Sequence, residues 1–281
     1  MSAHTPNHLL HAVLKRLTPQ SLKRRIKTYL ISQVGESYGH TSYAQEGEDL
    51  ILARLFGLFE WEKEPGFYVD VGAHHPQKFS NTFFFYLQGW HGINIDASPG
   101  SMSLFNALRP KDINLELAIS DSQQTLTFYQ FNDSALNGFS SDMAALRDNY
   151  TISDERGSFT VRVLSQQSIQ TTTLAEVLEK QVPKGQAIDF LSVDVEGLDY
   201  AVLKSNDWTN FRPKIVLVED SDVPSIDKIA KSSIIPYMAQ QGYLPCCKTP
   251  LTLFFLEERL VEIGPLGLRL KSDTSPKAMN G

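Results

Sequence analysis

Apolar positions along this chain follow two rhythms that take turns, and their alternation predicts an α/β fold. Phe67–Val71, Gly92–Asp96, Asn114–Ile119, Ile188–Asp194 and Lys214–Glu219 are short apolar runs of the kind that form buried strands. Helical spacing fills the stretches 80–88, 100–108, 173–181, 198–205 and 224–241, with Ser80 as the N-cap of the first. A further helix is predicted at 43–60, where Leu50, Ile51, Leu55 and Leu58 share one side. Strands alternating with helices build a mainly parallel sheet with helices on both faces. Two successive strands, 243–248 and 251–256 around Thr249 and Pro250, predict one antiparallel edge strand.

The remaining segments are less regular. Residues 125–131 alternate like an extra strand, and Val161–Val163 begins another. Between them, 132–160 is polar and aperiodic, which predicts a long loop of the kind that contacts substrates. Residues 8–34 read as two helices broken near Pro19, with Leu10, Val13, Leu14 and Leu17 in the first and Leu22, Ile26, Tyr29 and Leu30 in the second. The expected organisation is a helical extension over 1–40, one α/β domain over 41–264 and a polar tail over 265–281.

Composition and charge narrow the picture. With 281 residues, 42 % hydrophobic and 21 % charged, the chain can bury a sizeable core. A net charge of −6 excludes nucleic-acid binding through a general basic surface. Lys15, Arg16, Lys23, Arg24, Arg25 and Lys27 against Glu36 give residues 1–40 a net charge of +5 on an otherwise acidic body. Such an arm packs on the domain or a partner subunit, or rests on an anionic membrane surface; self-association is compatible with either. Cys246 and Cys247 are the only cysteines and are adjacent, which suits a reducing compartment and offers no metal spacing. No apolar run approaches the ~18–20 residues of a membrane span. A cytoplasmic location, peripheral at the inner membrane surface if the arm binds there, is expected.

In open α/β sheets ligands bind beyond the carboxyl ends of the strands. Those ends carry Asp70, Asp96, Ser120 with Asp121, Asp194, and Glu219 with Asp220. Gly72 follows the first strand and permits a tight turn and close approach of backbone to ligand. The dinucleotide pattern G-x-G-x-x-G would need glycine at positions 74 and 77, which hold His74 and Gln77. A sulfonium amino acid wants a carboxylate for its ammonium group, which Asp70 can supply. Asp96 lies where an acid accepts hydrogen bonds from a ribose diol. A nucleoside ligand without a pyrophosphate site is implied.

Ser42–Leu50, Gly66–His74, Leu117–Asp121 and Asp194–Gly197 resemble, in order, the signature segments of FkbM-type methyltransferases. The resemblance spans roughly residues 41–256. It implies a class I methyltransferase fold: Rossmann-like, with a mainly parallel seven-stranded sheet and an antiparallel edge strand. It also implies S-adenosylmethionine as donor and O-methylation of a carbohydrate, glycan or glycosylated metabolite. By this resemblance Gln45 and Glu46 close over the cofactor, and Asp70 and Gly72 line its amino-acid end. Asp96 and Ser98 take the ribose side, and Ser120 and Asp121 lie near the adenine. Asp96 stands where the family commonly has Glu, and His74–Pro76 where Asn and Gly often appear.

O-methylation requires the acceptor hydroxyl to lose its proton as it attacks. The seven histidines all lie at or before position 91, so a base on the fourth or fifth strand must be a carboxylate. Asp194 is the first candidate and Glu196 the second, with His75 from the opposite side. Asp194, Glu219 and Asp220 could instead hold Mg²⁺ or another hard divalent cation that activates the hydroxyl. Alternatively Glu219 only caps its strand, or the acids act without metal. Two other readings stay open: an NAD(P)-type oxidoreductase, and a non-catalytic scaffold recruited through the basic arm.

Overall fold

The computed structural model describes residues 39–58, 64–154, 157–264 and 267–270. The helices expected over 8–34 lie outside these residues, as does the tail beyond Leu270. The chain divides into a unit of Met1–Thr41 and a unit of Ser42–Gly281, and the sheet and the cleft belong to the second. No helix among the described residues is long and apolar enough to cross a membrane.

Helix α1 (Glu48–Phe56) is shorter than the pattern predicts, because Gly47 and Gly57 stop it at both ends in left-handed conformation. Its entry loop is fixed by Asp49, which accepts hydrogen bonds from the Ser42 hydroxyl at 2.6 Å and the Tyr43 amide at 2.7 Å. The strands that follow are β1 (Phe67–Val71), β2 (His91–Asp96), β3 (Ile113–Glu116), β4 (Ala118–Ile119), β5 (Thr125–Phe131), β6 (Thr151–Asp154), β7 (Gly157–Thr160), β8 (Val163–Thr172), β9 (Phe190–Val193), β10 (Ile215–Glu219), β11 (Tyr243–Lys248) and β12 (Thr252–Glu257). The main sheet has seven strands in the order β11-β12-β10-β9-β1-β2-β3. Strand β12 is antiparallel to both β10 and β11, and the pairs from β10 to β3 are parallel. The antiparallel strand therefore sits one position in from the edge, whereas the sequence pattern places it at the edge.

Strand β1 is buried along its whole length and alternates between two cores. Phe67, Val69 and Val71 pack with Leu174, Val202, Leu203 and Met238 on one face. Tyr68 joins Leu52, Phe56, Phe85 and Trp90 on the other. The covering helices are α2 (Phe83–Leu87), α3 (Ser101–Leu108), α4 (Ser141–Arg147), α5 (Leu174–Gln181), α6 (Asp199–Lys204) and α7 (Ile234–Gln240). Helix α5 opens with a capping box between Thr173 and Glu176. The long helix expected over 224–241 breaks into a 3-10 turn, Ile226–Lys231, and α7, separated by Ser232 and Ser233.

Two departures from the sequence pattern shape the site. The third predicted strand splits at Leu117: β3 stays in the main sheet, while β4 pairs with β8 in a side sheet ordered β4-β8-β5. The expected loop 132–160 holds α4, capped by the Ser140 hydroxyl, and a β6–β7 hairpin. The hairpin escapes periodicity because its cross-strand partners are hydroxyls, Thr151 with Thr160 and Ser153 with Ser158, each 2.9 Å apart. In the predicted tail, Gly267–Leu270 (β14) pairs with Val261–Gly264 (β13).

Candidate active site

A cleft opens at the carboxyl ends of β1, β2 and β9, where ligands of open α/β sheets bind. Gly72 forms its floor at φ 90°, and a Cβ there would stand 1.6 Å from the Asp194 carbonyl oxygen. Only glycine lets the two strand ends meet backbone to backbone. The Gly72 and Ala73 amides both donate to the Ile95 carbonyl, at 2.8 and 3.0 Å, which ties the loop to β2. Asp96 lines the cleft and accepts from two backbone amides, His74 N–H at 2.9 Å and Ser98 N–H at 2.7 Å, one on each carboxylate oxygen. Each oxygen keeps a lone pair for a further donor.

Asp70 lies behind this wall. It is buried, does not line the cleft, and accepts a hydrogen bond from the Thr82 hydroxyl at 3.0 Å. Burial pushes its pKa up to about 6, against the opposing Arg109 charge and the Thr82 and Ser192 hydrogen bonds. Arg109 is fully buried, and all its N–H groups are engaged: Nε with Asp112, Nη1 with the Pro76 carbonyl and Ser80, Nη2 with Tyr68 and Thr82. This network braces the loop between β1 and α2 from beneath.

The other expected cofactor residues separate into two groups. Gln45 and Ser98 line the cleft with Gly72 and Asp96. Glu46 does not; its carboxylate accepts from the Leu251 amide at 3.0 Å and joins the start of α1 to the β11–β12 turn. Ser120 is buried and takes a hydrogen bond from Gln124, while Asp121 pairs with Lys204 on the surface at 3.4 Å. The far wall is instead apolar, formed by Leu117, Ile119, Phe128 and Phe139, the two rings 4.9 Å apart. The split of the third strand brings this wall into place.

His75 is not positioned as a base. Its Nδ1 accepts from the Gln77 and Lys78 amides, both at 3.0 Å, so the ring closes its own turn and stays out of the cleft lining. Its neighbour His74 lines the cleft instead.

At the opposite end, Asp194, Glu196 and Glu219 each offer a carboxylate oxygen, and these lie within 4.8 Å of one another. Asp220, expected in this group, is absent from it. Its carboxylate is buried and accepts from the Ser232 hydroxyl at 2.5 Å, so Glu196 takes the place expected for it. Glu196 has a left-handed backbone, φ 53°. Asp199 holds it there by accepting from the amides on either side, Val195 at 3.0 Å and Gly197 at 3.2 Å. Arg147 of α4 pairs with Glu196 at 2.7 Å. A Cβ on Gly138 would come within 2.8 Å of Glu196, so the segment leading into α4 lies directly against it.

Withdrawal from bulk water, then the charges of Glu219, Asp199 and Glu196, raise the Asp194 pKa well above the usual carboxylate range. Asp194 is nevertheless open to the cleft, so repulsion among the acids is the firmer of the two causes. Burial and the Glu219 charge also raise Glu196, with Arg147 opposing. Asp199 is pushed up to about 7, mainly by burial and then by Glu219. Clustered acids with raised pKa values are suited to accepting a proton or to holding a hard cation through oxygen.

Sequence reasoning missed His74, Asp199, Gly138, Arg147 and the Arg109 network. Asp199 had a legible signal, an acid opening the helix after Gly197. Arg147 had none, because its partner lies 49 positions away. A family model described as the methyltransferase FkbM domain matches residues 70–245. No curated protein and no solved structure matches the chain. The matched segment runs from Asp70 through both ends of the cleft, the side sheet and α4, and the chain belongs to the FkbM methyltransferase family.

Proposed function

We propose that the protein transfers the methyl group of S-adenosylmethionine to a hydroxyl of a sugar, glycan or glycosylated metabolite. One observation carries this reading: a single cleft joins an amide-fixed acid and an apolar wall to a cluster of three carboxylates, of which Asp194 and Glu196 line it. The donor end suits a nucleoside. Asp96 accepts from a ribose diol, and Leu117, Ile119, Phe128 and Phe139 enclose a flat base. At position 74, where a dinucleotide loop keeps a glycine, this chain has a histidine that lines the cleft. When bound, the donor supplies an electrophilic methyl group on a sulfonium centre.

The chain's own residues then perform the acceptor chemistry. Asp194, open to the cleft, takes the proton of the attacking hydroxyl, and its raised pKa makes it a better base for that task than an ordinary carboxylate. Glu196 and Glu219 accept from neighbouring hydroxyls and fix the acceptor's orientation. A divalent cation, if one is required, fits Asp194, Glu196 and Glu219 as oxygen ligands and would lower the pKa of the acceptor hydroxyl. We place this activity in the cytoplasm, with the basic arm over 1–40 as a contact for a partner subunit or the inner membrane surface. Methylation of a water-soluble acceptor that survives removal of 1–40 would separate the arm from catalysis.

Calorimetry with S-adenosylhomocysteine tests the donor reading: micromolar binding is expected, and no binding by the folded wild-type protein overturns it. A screen of sugar acceptors with labelled methyl donor, with and without EDTA, tests the acceptor class and the cation together.

A further inference from the structure

The loop between β1 and α2 holds two bulky residues in a backbone region that disfavours them. His74 stands at φ 51° and Phe79 at φ 56°. Such conformations are costly for residues with a side chain and persist where the surrounding structure over-determines them. Here the loop brings both residues to the lining of the cleft. Their rings stack at 6.3 Å between centroids and 22° between planes. The Lys78 ammonium sits 4.6 Å from the Phe79 centroid, so the Phe79 ring already attracts a cation within the protein itself.

The position of the stack along the cleft is defined by its neighbours. The His74 amide holds Asp96, the acid assigned to the ribose. Gly72, two residues earlier, touches Asp194 at the acceptor end. His74 therefore stands in the stretch between the ribose and the point of methyl transfer, where a methyl donor carries its positive charge. Withdrawal from water keeps the imidazole pKa below its ordinary value, with Lys78 and His75 assisting and Asp96 and Asp133 opposing. A neutral ring attracts a cation that a protonated one would repel.

We propose that His74 and Phe79 form an aromatic wall that recognises the donor's sulfonium, so that the charged donor binds more tightly than the neutral product. The proposal rests on the donor reading above and names the group that discriminates between the two ligands. Such a wall promotes product release, because the attraction disappears once the methyl group and its charge have left the sulfur.

The test is calorimetry of S-adenosylmethionine and S-adenosylhomocysteine with wild type, His74→Asn, His74→Phe and Phe79→Leu. Asparagine tolerates the left-handed backbone, Phe79 is partly exposed, and ligand-free melting temperatures confirm folding. The wild-type protein should prefer the charged ligand by about 5- to 30-fold. His74→Asn and Phe79→Leu should bring the two affinities close to equality, while His74→Phe, which keeps a ring, should retain most of the preference. Binding of both ligands by wild type with equal affinity overturns the proposal, as does a preference unchanged in His74→Asn and Phe79→Leu. Equal losses in His74→Phe and His74→Asn would assign the effect to a ring nitrogen and also overturn it. Failure of wild type to bind either ligand removes the donor reading itself, a distinct outcome.

Discussion

A methyl group added at position 72 has no space to occupy. Its carbon would stand 1.6 Å from the Asp194 carbonyl oxygen, on a backbone at φ 90°. Gly72→Ala should therefore destabilise the protein by about 3 kcal/mol or more, read as a lowered midpoint in chemical denaturation. Asp70 gives a prediction of the opposite sign. Its folded-state pKa, about 6, lies above the ordinary value, so the native state favours the protonated form. Its contribution is most favourable below about pH 4 and is lost as pH rises through about 6, a cost of about 3 kcal/mol at neutrality. Asp70→Asn should gain stability relative to wild type at pH 7 and lose that advantage near pH 4, measured by denaturation at both values. At this scale Asp96, Gly72 and Asp194, which the sequence offers as site residues, all line the cleft, because a strand-end acid and a turn glycine are local patterns. It could not separate His74 from His75, since the left-handed turn at 74 decides which ring meets the cleft. Nor could it separate Glu219 from Asp220: successive residues at a strand end point to opposite sides, and only one can join Asp194.

Among the elements, α4 matters more than its length suggests. It reaches Glu196 through Arg147, and the segment before it touches Ser98 at the donor end through Asn137, at 3.2 Å. Arg147→Ala should leave S-adenosylhomocysteine affinity within about threefold, since the pair is only partly buried and contributes on the order of 1 kcal/mol. It should, however, speed amide hydrogen exchange across 137–147 and lower turnover of any acceptor found by screening. Unchanged exchange would show that the ion pair does not hold the segment. This element was invisible in the pattern because α4 buries only Ala144 and so presents no apolar stripe.

At the scale of the whole molecule, the cleft lies where the strand order reverses. From β1 the chain builds outward through β2 and β3, then returns to the other side of β1 with β9 and β10. That reversal leaves a crevice beyond the strand ends, and the alternation of strand and helix made it legible in the sequence. What the alternation could not convey is the side sheet, which depends on a break at Leu117 and on pairing across 53 positions between Ala118 and Thr171. The carboxylate cluster makes a prediction here. If it holds a cation, Mn²⁺ alone should raise the melting temperature of wild type and of Asp220→Asn but not of Glu196→Gln, in a thermal melt with and without EDTA.

The side sheet has one more consequence. Ala118 and Ile119 enter it beside Thr171 and Thr172, so the excursion from 120 to 170 leaves and rejoins the main body at a single doorway. Within it the hairpin has a doorway of its own, where Tyr150 and Val161 pair through the Val161 amide at 2.8 Å. A segment whose two ends are neighbours can grow, shrink or be exchanged without shifting the strands that carry Asp96 and Asp194. The hairpin between Tyr150 and Val161 can therefore vary in length and sequence while Phe128, Asn137 and Phe139, which lie outside it, keep the donor end as it is.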